Sequence, residues 1–226
     1  IMPSLVGSEM CIRDSAYLAL DAQLRLWQAR QAEGVAIVAT LCDFHARLQL
    51  VATSGPSELA PGHRLTARER QFGALAADER LIDVLRYRHE VGVHNLIAAL
   101  HRTIADLATV CDRVGALAAE SWQRHGTRRL PLGQSAEPLW ATVPGALGVA
   151  LRERIRVPPV AQLLEDHLAL CQSCSDELRL KRRVVARLSA GMSAAELHDL
   201  ARLWTLEPCV DTERVAFVRS LARCFD

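Results

Sequence analysis

The stretch that decides the fold is Glu177–Leu188, which reads Glu-Leu-Arg-Leu-Lys-Arg-Arg-Val-Val-Ala-Arg-Leu. Its apolar positions are separated by alternating steps of four and three residues, and the same steps continue towards the N-terminus. The positions are Leu188, Val185, Lys181, Leu178, Cys174, Cys171, His167, Leu164 and Val160. This spacing predicts a long helix with one narrow apolar seam, as at the a and d positions of a coiled coil.

Lys181 interrupts this seam and is the only lysine in a chain that otherwise uses arginine. A positive charge on an apolar seam must reach solvent along its own stem, pair within the protein, or meet an acidic partner. The sequence leaves these three outcomes open.

Two short helices are predicted after the seam helix. Gly191 is expected to end the seam helix in the left-handed conformation. Ser193 and Glu196 have the spacing of a capping box, and Pro208 is expected to end the helix that they open. Asp211 is a suitable N-cap for the last helix.

Two further long helices are predicted before the seam helix, over Tyr17–Thr53 and Thr66–Arg124, where no proline interrupts the helical spacing. The first has a weakened middle, because Gln31 and Gly34 sit on its apolar face. We therefore predict an all-α fold: a long antiparallel helical hairpin or coiled coil, a third long helix and two short C-terminal helices.

The chain divides into four predicted regions. Residues 1–15 look like a translated sequencing adaptor, so we predict a non-native tail there. Residues 16–125 form the helical hairpin, and residues 126–159 are a linker containing proline and glycine. Residues 160–226 form the C-terminal helical region.

Composition narrows the function classes. The formal net charge is only +1, so there is no global basic field for nucleic acid, and we expect no direct nucleic-acid binding. Seven cysteines, with one C-x-x-C, do not indicate a disulfide framework, so we expect a reducing intracellular location. We find no uninterrupted apolar run of membrane-spanning length and expect no membrane partner.

A zinc site is the main chemical alternative. His167, Cys171 and Cys174 are spaced by four and three residues, so three soft ligands share one helix face. The same positions are seam positions, where cysteine is an ordinary core residue. Since a second C-x-x-C is missing, we predict no metal and no cofactor.

Other reactive side chains have spacings that argue against catalysis. His89 and His94 are five residues apart and so point to different faces of a helix, unlike the histidines of a zinc protease. Cys42, Asp43 and His45 are neighbours on one helical turn, whereas a catalytic thiol and imidazole usually converge from separate elements. We predict that the protein is not an enzyme.

The C-terminal region resembles a known family. Glu-Leu-Arg-Leu-Lys-Arg from Glu177, then Leu203-Trp204, then Pro208-x-Val210, is similar to the C-terminal signature of the cyclin-dependent-kinase-interacting protein family (CINP). The similarity covers Asp176–Arg214, and the N-terminal half follows no family pattern. The small ribosome-maturation subunit that partners CINP has a comparable layout but lacks the Trp-to-Pro-Val arrangement.

The resemblance implies a non-catalytic adaptor subunit of an AAA ATPase assembly that acts in large-ribosomal-subunit maturation, DNA replication and checkpoint control. The implied partners are AAA ATPase subunits, a second small helical subunit and cell-cycle kinases, in the nucleus or cytoplasm. We expect the partner-binding residues to be Leu178, Lys181, Arg182, Val185, Trp204, Leu206, Pro208 and Val210. The alternative is a stand-alone coiled-coil structural or tethering protein.

Overall fold

The computed structural model describes residues 5–53, 80–125 and 160–225, and within them the chain forms five helices and no strand. The helices are α1 (Leu5–Thr53), α2 (Leu81–His125), α3 (Val160–Arg187), α4 (Ala194–Leu206) and α5 (Thr212–Phe225). The predicted all-α class, with three long helices before two short ones, is confirmed. The coiled-coil arrangement stays a prediction.

The apolar seams of the long helices form the core, as their spacing predicts. Along α1 every described seam residue is buried, including the polar ones: Leu20, Leu24, Trp27, Gln31, Gly34, Val38, Leu41, His45 and Leu48. Along α3 the seam is buried or half-buried at every described position from Leu164 to Leu188. Side chains three and four residues apart lie on one face of a helix, so each seam is covered by neighbouring helices.

The described helices divide into two compact units, and each unit takes pieces of all three long helices. The first unit contains α1 up to Ala29, α2 from Leu107, α3 up to Leu178, and the described residues from Cys209 onwards. The second unit contains the remaining parts of these helices together with α4. Both units are therefore discontinuous in sequence, unlike the regions that we predicted from composition.

In the first unit, α2 and α3 run antiparallel. Ser121 Oγ lies 2.9 Å from His167 Nδ1, and Cys111 Sγ lies 3.3 Å from Ser175 Oγ, so positions rise along one helix as they fall along the other. Tyr17 ties α1 to this pair. The fully covered apolar side chains here include Leu20, Leu107, Val114, Leu163, Leu170 and Val218.

In the second unit, α1 and α2 run antiparallel. Arg30 Nε lies 3.3 Å from Asp106 Oδ2, and the Phe44 and His89 rings pack edge to face with their centroids 5.7 Å apart. His45 Nε2 lies 2.7 Å from the carbonyl oxygen of Met192, which joins α1 to the turn before α4.

The predicted signals at the ends of the short helices are confirmed. The Ser193 backbone N–H donates to Glu196 Oε2 at 3.0 Å, and the Glu196 N–H donates to Ser193 Oγ at 3.3 Å, which completes the capping box. The Arg214 N–H donates to Asp211 Oδ1 at 2.9 Å at the start of α5. Helix α4 ends at Leu206, before Pro208, as predicted.

The prediction of a left-handed stop at Gly191 is wrong. Helix α3 ends earlier, at Arg187, where the Leu188 N–H reaches the carbonyl of Val185 at 3.1 Å in a tightened last turn. Gly191 does not have a positive φ. The left-handed residue is instead Glu207, with φ 45° and ψ 56°, directly after α4.

Two predicted regions fall partly or wholly outside the described residues. Helix α1 begins at Leu5, so residues 5–15 continue this helix, and their non-native origin stays a prediction. The linker at 126–159 lies outside the described residues, as do positions 66–79 of the predicted second helix.

Helix α1 bears on the expected absence of a membrane partner. Within the described residues, Ser15–Val51 is long and apolar enough to cross a membrane, with a mean hydropathy of 1.3 in the relevant window. This segment contains occasional charged residues, so it has no uninterrupted apolar run of membrane-spanning length. Its mean hydropathy nevertheless stays high enough for a membrane span. The core helix of a protein passes the same test, so length and composition are weak support for a membrane span.

Candidate functional site

The eight predicted partner-binding residues fall into two groups by burial. Leu178, Lys181, Val185 and Trp204 are buried, Val210 is half-buried, and Arg182, Leu206 and Pro208 are exposed. Buried side chains support the surface and are not themselves available to a partner. The exposed residues can therefore contact a partner directly, whereas the buried ones make contacts inside the chain.

Lys181 pairs within the protein, which is one of the three outcomes that the sequence left open. Its side chain is completely covered. The Nζ atom donates a hydrogen bond to the carbonyl oxygen of Trp204 at 3.0 Å and lies 4.8 Å from the centroid of the Trp204 ring. A carbonyl dipole and an aromatic face together replace part of the water that a buried ammonium loses.

The carbonyl of Trp204 needs donors from outside its own helix. It belongs to the last turn of α4, where helical carbonyls have no partner within the helix. Gln31 Nε2 donates to the same oxygen at 2.9 Å, so α1 and α3 both cap this helix end. The Lys181 charge also lies at the negative end of the helix dipole, which stabilises a cation.

Gly34 makes room for the Trp204 ring. A Cβ atom at position 34 would lie 2.6 Å from Trp204 Cζ2 and 2.8 Å from Nε1, closer than atoms pack. The two polar or small residues that weaken the middle of the α1 seam, Gln31 and Gly34, are therefore the residues that receive Trp204. We call Gln31, Gly34, Lys181 and Trp204 the Trp204 clamp.

The Trp204 clamp fixes which side of α4 faces outwards. Leu197, Leu200 and Trp204 are buried on one side of the helix. Leu203 and Leu206, on the other side, are 39% and 61% exposed. The predicted binding residues included Leu206 but not Leu203, although the three-residue spacing of the two leucines places them on one face.

The outer side of α3 in the second unit consists largely of arginine. Between Arg179 and Arg187 the buried positions are Lys181, Val184 and Val185. The exposed positions are Arg179, Arg182, Arg183, Ala186 and Arg187, and we call the four exposed arginines the arginine face.

The first unit holds a buried polar cluster that was not predicted from the sequence. Asp166 is 1% exposed, and its Oδ1 atom accepts a hydrogen bond from Arg214 Nη1 at 2.9 Å, while Tyr17 Oη lies 3.4 Å from Oδ2. Asp21 Oδ1 lies 3.6 Å from Arg219 Nε. Both arginines come from α5, so paired charges hold the last helix against α1 and α3.

His167 lies in the same cluster, with Ser121 and Asp166 beside it. Burial lowers the pKa of His167, more than the Asp166 charge and a backbone hydrogen bond raise it, so the neutral imidazole is favoured. A serine from α2 beside a histidine and an aspartate from α3 suggests hydrolytic chemistry. However, all three side chains are at most 6% exposed, and a nucleophile must reach its substrate. Their arrangement fits a buried polar core.

The proposed zinc ligands have different surroundings. Among the described residues, no group of three His, Cys, Asp or Glu side chains is placed to hold a metal ion. His167 faces Ser121, whereas the Cys171 thiol lies over Gly115 and near Cys111. Burial raises the pKa of the Cys171 thiol and of the Cys42 thiol, which favours the protonated, unreactive form.

An open groove of about 540 Å³ lies between α1 and α2 in the first unit. Its lining is mostly small or apolar: Ala19, Ala22, Gln23, Leu26, Thr109, Val110, Arg113, Ala116, Leu117 and Glu120. Its two charged groups, Arg113 and Glu120, have no histidine, cysteine or second carboxylate beside them in this lining. The groove does not have the convergent groups of an active site.

Comparisons with known proteins do not identify the chain. No protein family matches the sequence, and no curated protein matches it. The function of the site must therefore be inferred from its contacts and from the resemblance in the C-terminal signature.

Proposed function

We propose that the protein is a non-catalytic helical adaptor that binds another protein through the outer face of α4. The observation that carries this proposal is the Trp204 clamp, which buries one side of α4 and leaves Leu203 and Leu206 exposed on the other. A rigid helix that presents two adjacent leucines binds with little loss of conformational entropy, because the helix is already ordered.

The resemblance to the CINP signature supports a more specific proposal. By this similarity the partner is an AAA ATPase assembly that acts in large-ribosomal-subunit maturation and in genome maintenance, including replication and checkpoint control. A second small helical subunit and cell-cycle kinases are the further partners that the resemblance suggests, and the expected location is nuclear or cytoplasmic.

The test is co-purification of the full chain with an AAA ATPase subunit of its native source. Lys181 and Trp204 are unsuitable positions for this test, because changing a buried residue disturbs the fold as well as the surface. Leu203→Asp with Leu206→Asp alters only the outer face of α4, since both side chains point to solvent. We expect this double variant to lose the ATPase while keeping its helical circular dichroism signal.

Leu50→Asp is the matched control, because Leu50 is a leucine of α1 in the same unit with a similar exposure of 57%. It should retain the partner. Equal recovery of the ATPase with the wild type and with the α4 double variant would contradict the proposed binding face.

The alternative, a stand-alone coiled-coil tether, differs in its oligomeric state. The purified tether should self-associate through its long helices, whereas the adaptor should bind the second chain in preference to itself. Size-exclusion chromatography with light scattering, with and without the partner, separates the two. A stable homo-oligomer that ignores the ATPase subunit would favour the tether.

A further inference from the structure

We infer that the arginine face of α3 binds an acidic segment of a protein, next to the leucines of α4. This inference deepens the proposed adaptor function and depends on it. The expected partner segment has glutamate or aspartate side chains that pair with Arg182 and Arg183. It also has apolar side chains of about the size of leucine that pack against Leu203 and Leu206.

The first observation is the imbalance of charge along α3. From Leu178 to Ser193 the sequence contains five basic residues and no acidic one. Lys181 points inwards and is held by the Trp204 carbonyl. The arginines are left on the outer side, so the exposed part of this stretch carries positive charge only.

The second observation is that Arg182 and Arg183 have no ion pair or hydrogen bond with the described residues. Four other exposed arginines of the chain do have one. Arg25 pairs with Asp21, Arg30 with Glu33 and Asp106, Arg86 with Asp83, and Arg124 with Glu120. The helix dipole favours positive charge near the C-terminus of α3, but this effect reaches only the last turn. Arg182 precedes that turn.

The third observation is that the helix with the charge contacts the helix with the leucines. Lys181 and Trp204 are joined by a 3.0 Å hydrogen bond. Arg182 follows Lys181 directly, and Leu203 and Leu206 lie within two residues of Trp204. Guanidinium groups form paired hydrogen bonds with carboxylates, while exposed leucines bury apolar side chains, so this surface fits an acidic amphipathic helix.

Nucleic acid fits the same surface less well. Proteins that bind single strands usually stack bases on exposed aromatic rings beside the basic groove. The only phenylalanine, tyrosine or tryptophan between Arg179 and Pro208 is Trp204, and its ring is fully buried in the clamp. This stretch therefore offers a nucleic acid only the attraction between arginines and phosphates, and no exposed ring on which a base could stack.

Fluorescence anisotropy with the full chain tests the inference. The probe is a labelled helical peptide about three heptads long, with leucine on one face and glutamate beside it. We expect it to bind, and we expect Arg182→Glu with Arg183→Glu to weaken binding roughly tenfold, because two attractions become repulsions. A peptide with glutamine in place of glutamate should bind the wild type with an intermediate affinity, because it loses the attraction without gaining a repulsion.

The matched control is Arg88→Glu with Arg102→Glu, two exposed arginines on α2 in the same unit. This control should leave binding unchanged. No binding of the acidic peptide, or an equal loss with the control, would overturn the inference. Tighter binding of an oligothymidylate of about 20 nucleotides than of the peptide would show a nucleic-acid surface instead.

The outcome is distinguishable from that of the adaptor proposal. Suppose that the leucine variant releases the ATPase, whereas the Arg182 and Arg183 variant binds the acidic peptide as tightly as the wild type. The adaptor proposal then stands, and the acidic partner is wrong. If the peptide depends on the arginines but the leucine variant still recovers the ATPase fully, the adaptor's binding face is wrong.

Discussion

The two units bury charge in opposite ways. The first unit buries three carboxylates. Asp21 and Asp166 each face an arginine of α5, and Glu177 accepts a hydrogen bond from the Cys209 backbone N–H at 3.0 Å. The second unit buries an ammonium, Lys181, which faces a backbone carbonyl and an aromatic ring. Arginines and a backbone N–H compensate the buried negative charge in the first unit, and a helix end with an aromatic ring compensates the buried positive charge in the second.

The difference shows what each short helix contributes. Helix α5 buries an apolar face and in addition supplies arginines to Asp166 and Asp21, so both packing and electrostatics hold it in place. Helix α4 supplies a carbonyl and a buried tryptophan, so packing holds it in place. We therefore expect α4 to be sensitive to changes of volume and α5 to be sensitive to changes of charge.

The largest expected effect is that of Trp204→Ala. This change removes a fully buried indole and leaves a cavity beside Lys181, so we expect the free energy of unfolding to fall by about 3–5 kcal/mol. Urea denaturation followed by circular dichroism measures it. Leu203→Ala, on the exposed side of the same helix, should change the value by less than about 1 kcal/mol. Similar losses of unfolding free energy for the two variants would contradict a stabilising role of the Trp204 clamp.

Asp166→Asn tests the first unit. The substitution keeps the shape of the side chain but removes the charge that faces Arg214, so we expect a loss of about 2 kcal/mol. Asp83→Asn is the control, because the Asp83 carboxylate is exposed and its ion pair with Arg86 is long, at 3.9 Å. It should cost less than about 0.5 kcal/mol. If both variants unfold at the wild-type urea concentration, buried pairing does not hold α5.

Gly34→Ala tests the fit of the Trp204 ring against α1. The added methyl group collides with an indole that is buried on all sides, so we expect a net loss of about 1–2 kcal/mol despite the better helix propensity of alanine. Gly92→Ala is the comparison. Its methyl group meets the Phe44 ring, which is half-buried and so less enclosed than the indole, and a loss below about 1 kcal/mol is expected.

A double variant sharpens this test. In a Trp204→Ala background the methyl group at position 34 has no indole to meet. Gly34→Ala should then be neutral or stabilising in urea denaturation. An unchanged cost in that background would mean that Gly34 is needed for a reason other than the ring.

The smallest expected effect is a pH dependence from His167. Burial lowers the pKa of His167 below its ordinary value of 6.5, so the unfolded chain binds a proton more readily than the folded one. Its contribution to stability is complete above that value and is lost as the pH falls below it, at no more than about 1.4 kcal/mol per pH unit. Urea denaturation between about pH 7.5 and about pH 5.5 covers this range.

His167→Gln should flatten this pH dependence, whereas His94→Gln, at an exposed position, should leave it as in the wild type. If the stability of the His167→Gln protein still changes with pH as steeply as that of the wild type, the pH dependence comes from other groups.

The sequence predicted what local spacing controls. The seams of α1 and α3, the Ser193 capping box and the Asp211 N-cap all depend on residues within one or two turns, and all are confirmed. Lys181 was recognised as anomalous for the same reason, because it broke the local pattern.

The partners of the anomalous residues were not predictable, because they are distant in sequence. Gln31 meets a carbonyl that is 173 positions away, and Asp166 meets an arginine 48 positions away. With 27 basic residues in the chain, no local feature distinguishes Arg214 from the others. The failed prediction at Gly191 has a different origin, because α3 ends in a tightened local turn at Leu188, three residues before the glycine.

The discontinuous make-up of the two units has a consequence for how the chain can be cut. Because α1, α2 and α3 each contribute to both units, any boundary placed between Arg30 and Pro208 divides both units. Deletion of everything after Leu188, for example, takes α4 from one unit and α5 from the other. A single cut in this range leaves neither unit complete in either fragment, so one cut cannot separate the two units.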